Sequence, residues 1–302
     1  MNPGPAFVDA LARFVFEHSA VRGALVCLDD ACRDILRCHP YPPALKRVLA
    51  EIVAAAALLA STLKFKGALV VQLQGNGPVR LLVVECTADL TLRAMAQWNA
   101  AAEALPPDAS LAELAGGPAH SRLAISIDPK DGGPISQGIV ALEAKSIATL
   151  IEHYLTKSEQ IDSALSIAIS GERARGLLLQ RMPGAGADDD ATWAHAAAIV
   201  RTTAPRHLFA PGGAEALLRL RFPDDDLRLF KPRPARFACS CSRDRVANAL
   251  RMIGRTEVES ILAEQGQVGV TCEFCNLSYT FDAEDALALF DLPAAPTGAI
   301  RH

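Results

Sequence analysis

The sequence predicts an α+β fold built from a large N-terminal α+β domain, a helical connecting region and a small C-terminal four-cysteine module. Three observations carry that prediction. Helix-period segments and short β-rich runs with hairpin turns alternate over residues 1–183; prolines, glycines and acidic residues punctuate residues 184–235; and two tight cysteine pairs fall within residues 236–302. The length of 302 residues fits about two domains. A formal net charge of -4 with 50% apolar residues is a globular composition, and it argues against a surface built throughout for nucleic acid or anionic lipid.

Phe7, Ala10, Leu11, Phe14 and Val15 recur at helical spacing and predict a first helix. A second is predicted over residues 44–63, entered through Pro42 and Pro43 and carrying the run Ala54 to Ala57, whose small side chains allow close packing. Residues 67–74 and 79–85 read as two strands joined by Gly75-Asn76-Gly77-Pro78. Residues 122–127 and 135–142 read as another hairpin across the sequence DPKDGG. A helix over 145–157 and strands over 161–170 and 175–182 complete the first domain.

Beyond Met182 the breakers in MPGAGADDD lead to a helix over 192–201, capped by Asp190 or a neighbour. Pro205, Pro211, Gly212, Gly213, Pro223, Pro232 and Pro234 then divide the chain into short pieces. Residues 184–235 read as a connecting region, the alternative being that they form the far side of the first domain. In the last module a helix is predicted over 242–253, and Thr256 with Glu259 has capping-box spacing for another through Ala263. Tyr279 and Phe281 fall in an extended stretch, and Asp282 is placed to cap a final helix through Phe290.

Eight cysteines are distributed unevenly. Cys27, Cys32, Cys38 and Cys86 are scattered and read as small apolar residues, since a free thiol buries well. Cys239-Ser240-Cys241 and Cys272-Glu273-Phe274-Cys275 instead form a C-x-C and a C-x-x-C. Two close pairs brought together by the folded segment between them supply the four corners of a tetrahedral zinc site. Cys239, Cys241, Cys272 and Cys275 are therefore the predicted ligands of one Zn2+. Four thiolates close the coordination sphere and leave no position for a catalytic water, so zinc hydrolysis is excluded. No histidine lies between the pairs to change that set.

The N-terminal segment lacks an early basic stretch and carries Asp9 and Arg13 among its apolar residues, unlike a secretory signal. The longest apolar run, nine residues from Ile52 to Ala60, is too short for a membrane span. A cytoplasmic location without membrane partners is expected, where paired cysteines serve metals or redox chemistry more often than permanent disulfides.

A rival reading makes the module an RNA-binding zinc domain. Lys231, Arg233, Arg236, Arg243, Arg245, Arg251 and Arg255 face only Asp244 between positions 231 and 255. Eight acidic residues without a lysine or arginine follow over 256–300, so the two stretches can neutralise each other and nucleic acid is not the favoured partner. A catalytic C-x-x-C oxidoreductase fits less well, because the second pair has another pair at metal spacing instead of a βαβ context. No G-x-x-x-x-G-K-[ST] occurs to bind ATP, and no enzymatic activity is predicted.

The segments CSCSRDR and EVESILAEQGQVGVTCEFCNLSYTF resemble the zinc module of the redox-regulated chaperonin family, heat-shock protein 33. ALKRVLAEIVAAAALLASTLKFKGALVVQLQGNGPVRLLVVE, GIVALEAKSIATLIEHYLTKSEQ and RGLLLQRMP extend the resemblance over nearly the whole chain, with residues 184–236 matching by position and composition only. Val246 stands where family members can carry a further cysteine, but the four expected ligands are present. The resemblance implies an ATP-independent holdase, quiet when reduced and zinc-bound, that binds unfolding client proteins after thiol oxidation and zinc release. Four cysteines allow three disulfide connectivities; the resemblance implies Cys239-Cys241 and Cys272-Cys275, and a homodimer when oxidised.

Overall fold

A computed structural model of the chain describes residues 7–63, 65–129, 133–144, 146–184 and 187–291. Internal contacts divide the chain into a first unit, Met1–Ala238, and a second, Cys239–His302.

The first unit contains two antiparallel-rich sheets that share one helix. Its elements begin with β1 (Ala10–Phe16), β2 (Val21–Leu28), α1 (Asp30–Arg37), α2 (Pro43–Thr62), β3 (Ala68–Gln74), β4 (Val79–Thr87) and β5 (Thr91–Trp98). Short α3 (Leu111–Ala115), β6 (Arg122–Asp128), β7 (Ser136–Val140), α4 (Ile147–Ser158), β8 (Ser163–Ser170) and β9 (Arg173–Arg181) follow. Next come α5 (Ala187–Arg201), α6 (Pro205–Leu208), α7 (Gly213–Arg221), β10 (Leu227–Leu229), β11 (Arg233–Pro234) and β12 (Arg236–Phe237). One sheet runs β10-β1-β2-β9-β8, with β11 also on β1; the other runs β12-β5-β4-β3-β6-β7.

Helix α2 begins at a proline, where a missing N–H costs nothing, and Ser61 and Thr62 close its end by donating to the Leu58 and Leu59 carbonyls at 2.6 and 2.8 Å. Ala54 to Ala57 are fully buried, and one apolar core runs from β2 and β9 through this helix to β3, β4 and β5. The small side chains let both sheets approach the same helix closely. The expected hairpins form, β3 pairing with β4 and β6 with β7, while residues 130–132 of the second turn and residue 145 before α4 lie outside the described residues.

The segment expected as a first helix is strand β1. Its residues supply two cores at once, Leu11 toward α2 and Ala12, Phe14 and Phe16 toward the opposite face, so its apolar positions lose the alternation that marks a half-exposed strand. The same two-sided burial hides β2, which the sequence pattern did not mark. Asp190 lies inside α5 and is not its cap.

Asp9 has a role that no local pattern shows. With φ at +45°, it turns its carboxylate onto the start of α1 and accepts the N–H groups of Asp29, Asp30 and Ala31 at 2.9, 3.0 and 3.0 Å. It therefore caps a helix about 20 residues away, while Asp29 itself pairs with Arg175. Asp9→Ala is expected to lower the first unit's stability by about 2 kcal/mol, read as a fall in Tm. An unchanged Tm would show that water replaces the cap at no cost.

Residues 187–234 pack within the first unit. Helices α5 and α7 cover the sheet face opposite α2, burying Ala196, Val200, Leu217 and Phe222 against Phe14 and Phe16. The chain then returns along the sheet edge as β10 and β11, and β12 joins β5 in parallel, with the Arg236 and Ala238 N–H groups donating to Leu90 and Leu92. Strand β12 places Arg236 and Phe237 beside Thr91 and Leu92 of β5.

The second unit comprises α8 (Arg243–Ile253), α9 (Arg255–Gln265), the hairpin β13 (Val268–Thr271) and β14 (Ser278–Phe281), and α10 (Ala283–Asp291). Among the described residues its buried core is Ala247, Leu250, Val258, Val268, Phe281 and Ala286. Asp282 caps α10 through the Asp285 N–H at 2.8 Å. Helix α9 begins at Arg255 after Gly254, so Thr256 is not its cap and Glu259 pairs with Arg255 instead.

Candidate metal centre

Each cysteine pair sits where the backbone is constrained on its far side. After Cys239-Ser240-Cys241 the chain enters α8 at once, Ser242 capping it through the Arg245 N–H and Arg245 reaching back to the Ser240 hydroxyl at 2.7 Å. Cys272 and Cys275 lie in the turn of the β13–β14 hairpin. There the Cys272 N–H donates to Leu277 at 2.9 Å, the Asn276 N–H donates to Cys272 at 2.8 Å, and Asn276 adopts φ +59°. Asparagine tolerates that left-handed geometry better than most residues. Below the turn, Arg243 lies 4.1 Å over the Phe281 ring and donates to the Thr280 carbonyl, which ties the start of α8 to β14.

These elements bring all four sulfurs within 4.8 Å of one another. Across the pairs, Cys239 lies 3.6 Å from Cys272 and Cys241 lies 3.3 Å from Cys275, sulfur to sulfur. Tetrahedral zinc with Zn–S bonds of about 2.3 Å places sulfurs about 3.8 Å apart, so the cage has the size and the donor set that zinc requires. All four thiols are free and half-buried. Burial pushes the Cys275 thiol well above its ordinary value, with the neighbouring thiols adding to the rise and the Leu277 N–H opposing it. A bound cation would reverse that balance by favouring thiolates.

Tyr279 is a contributor that the cysteine spacing does not reveal. Its hydroxyl donates to the Cys241 sulfur at 3.2 Å, and that bond raises its own pKa to about 12. Only the hairpin register, with Tyr279 opposite Val270, brings the phenol to the cage. Outer hydrogen bonds to metal ligands are worth about 10- to 100-fold in affinity. Tyr279→Phe should therefore retain one zinc per chain yet bind it about tenfold more weakly in competition with a chelator; equal competition curves would remove the residue from the site.

The arginines of the basic stretch are occupied. Arg243 pairs with Asp285, Arg255 with Glu259 and Asp291, and Arg236 with Asp89, while Arg233, Arg245 and Arg251 donate to Ala88, Ser240 and Leu289. Asp285 and Asp291 come from the acidic stretch that follows. The charge excess visible in the sequence is thus largely spent within the fold.

Cys27, Cys32 and Cys86 are buried in the first unit, and burial raises each thiol to about 12. At neutral pH they are protonated and shielded, the reverse of what a reactive thiol needs. Cys38 is half-buried, its sulfur 3.2 Å from the Asp34 carbonyl.

Residues 9–282 match the profile of a family described as "Hsp33 protein". The 33 kDa chaperonin of Methylobacillus flagellatus is 43% identical over 97% of this chain and 99% of its own length. That of Chromobacterium violaceum is 43% identical over 94% of each. Among solved structures, the 33 kDa chaperonin of Thermotoga maritima aligns with a TM-score of 0.75 at 21% identity, covering 94% of this chain and 98% of the other, a likeness of fold. No helix among the described residues is long and apolar enough to cross a membrane.

Proposed function

We propose, from the premise that this chain belongs to the Hsp33 family, that it is a cytoplasmic, ATP-independent holdase switched on by oxidation of its four-cysteine module. The observation that carries the reading is the cage of four sulfurs within 4.8 Å, in a unit whose buried core is small. Cys239, Cys241, Cys272 and Cys275 hold one Zn2+ in the reduced protein. Bound zinc keeps the sulfurs as thiolates and supplies the module's folding energy.

Thiolates are the form that oxidants attack. With peroxide as oxidant, each pair gives up two electrons and forms one disulfide, while the peroxide takes those electrons and two protons and leaves as two waters. Pairing within Cys239-Cys241 and Cys272-Cys275 closes very small loops. Such bonds restrict the unfolded chain little, so they remove the ligand set without replacing the stability lost. The module then unfolds, and its buried apolar residues, among them Leu250, Val258 and Phe281, become accessible to unfolding client proteins. The oxidised form acts as a homodimer, and no catalytic step is assigned to any residue.

Zinc content and suppression of client aggregation, measured on one sample before and after peroxide at elevated temperature, test this reading. About one zinc per chain should be bound at first and released on oxidation, with client protection appearing only afterwards. Full protection with zinc retained would sink the switch.

A further inference from the structure

The first unit holds a cavity of about 360 Å3 that plays no part in the metal centre. It lies on the sheet face that carries α2, by the last residues of that helix, Ser61 and Thr62. Strand register puts Arg13, Arg22 and Gln180 on this face, with Arg13 opposite Ala24 and Arg22 opposite both Val15 and Gln180.

Its charges do not balance. Two guanidinium groups line the cavity and, among the described residues, no carboxylate does; Asp189, which accepts the nearby Ala20 N–H, is not part of the lining. The half-buried Arg22 is held below its ordinary pKa first by desolvation and then by the charge of Arg13. An adjoining cavity shares Arg13 and adds Lys66 and Arg233, again with no carboxylate among its lining residues.

Hydrogen bonding is incomplete at the same place. Arg22 donates through Nε and Nη2 to Gln180 Oε1 at 3.0 and 2.8 Å, which fixes the amide. Gln180 is 1% exposed, and its Nε2 has no partner. Ser19 Oγ is also buried without one. Buried donors left unsatisfied are uncommon and call for a partner, a water or a bound group. The hydroxyls of Ser61 and Thr62 cannot serve, being spent on their own helix.

We propose that this cavity binds a small amphipathic carboxylate, its head held by Arg13 and by Arg22, which Gln180 orients, and its apolar body against Leu178, Met182 and Phe230. Paired guanidinium groups match a planar carboxylate, and an apolar-walled cavity of this volume suits a short hydrocarbon chain. The Phe230 N–H donates to the Arg13 carbonyl at 2.8 Å, so an occupant would touch both the sheet and the segment that returns along its edge. This site is independent of the metal-centre reading.

Titration calorimetry of the reduced, zinc-loaded full chain with decanoate, and in parallel with decanol, tests the proposal. Saturable 1:1 binding of decanoate is expected, with decanol at least tenfold weaker because it lacks the charge. Arg13→Ala, an exposed position chosen to spare folding, and Arg22→Gln should each weaken decanoate at least tenfold, with thermal melting confirming that both variants are folded. Absence of saturable binding, equal affinity for decanol, or undiminished binding by the folded Arg13→Ala protein would overturn the site.

Discussion

Cys272→Ser is expected to abolish stoichiometric zinc binding and unfold the second unit while leaving the first folded. Unaided, a core as small as the one around Leu250, Val258 and Phe281 supplies about 3–5 kcal/mol at most. A structural zinc contributes about 10–16 kcal/mol, more than the whole of that reserve. The backbone bonds of the turn, from the Cys272 N–H to Leu277 and from the Asn276 N–H to the Cys272 carbonyl, survive the substitution, so the effect isolates the loss of one sulfur. Amide NMR signals from residues 239–291 should collapse toward unfolded positions while those of the first unit persist. Cys38→Ser is the matched control and should keep its zinc. Native-like dispersion of the module in zinc-free Cys272→Ser would show that the metal does not hold it together.

A second large effect is expected in alkali and belongs to the first unit. The native protein holds the protons of Cys27, Cys32 and Cys86 up to about pH 12, whereas the unfolded chain releases them near the ordinary thiol value of 9.0. The stability contributed by their burial is therefore complete below about pH 9 and is lost as pH rises toward 12. Three such groups give a slope of about 4 kcal/mol per pH unit, enough to consume a typical domain stability within two or three units. Tyr41 and Tyr154, also raised by burial, steepen the fall above the tyrosine range. The first unit should unfold sharply between pH 9 and 12, and replacing the three cysteines with alanine or valine should move that midpoint upward. A flat stability curve to pH 11 would show that the thiols ionise without unfolding the chain. The same burial keeps these thiols out of peroxide chemistry at neutral pH.

The clustering of the four cysteines was legible because its determinant is local: a C-x-C and a C-x-x-C place their sulfurs in adjacent residues. Helix α2 and the β3–β4 and β6–β7 hairpins were legible for a similar reason, each being marked by prolines, glycines or a long periodic run. Strand β1 was misread because apolar Leu11 and Val15 sit on the face opposite Ala12, Phe14 and Phe16, which blurs the period that separates strand from helix. Asp9 and Tyr279 were invisible as functional groups because their partners, the start of α1 and the Cys241 sulfur, come from distant sequence. The packing of residues 187–234 depends on aromatic contacts among Phe14, Phe16 and Phe222 that no local pattern encodes.

Helix α2, shared by both sheets of the first unit, makes their stabilities inseparable. Neither sheet can leave it without exposing its own inner face and one side of the buried helix, so the first unit should melt in one calorimetric transition whose enthalpy matches the whole of it. On the proposed reading, the second unit should give a separate transition that a chelator abolishes. Heat capacity scans would then show two peaks, only one of them responsive to oxidant, so the larger unit would keep its structure while the smaller one is dismantled.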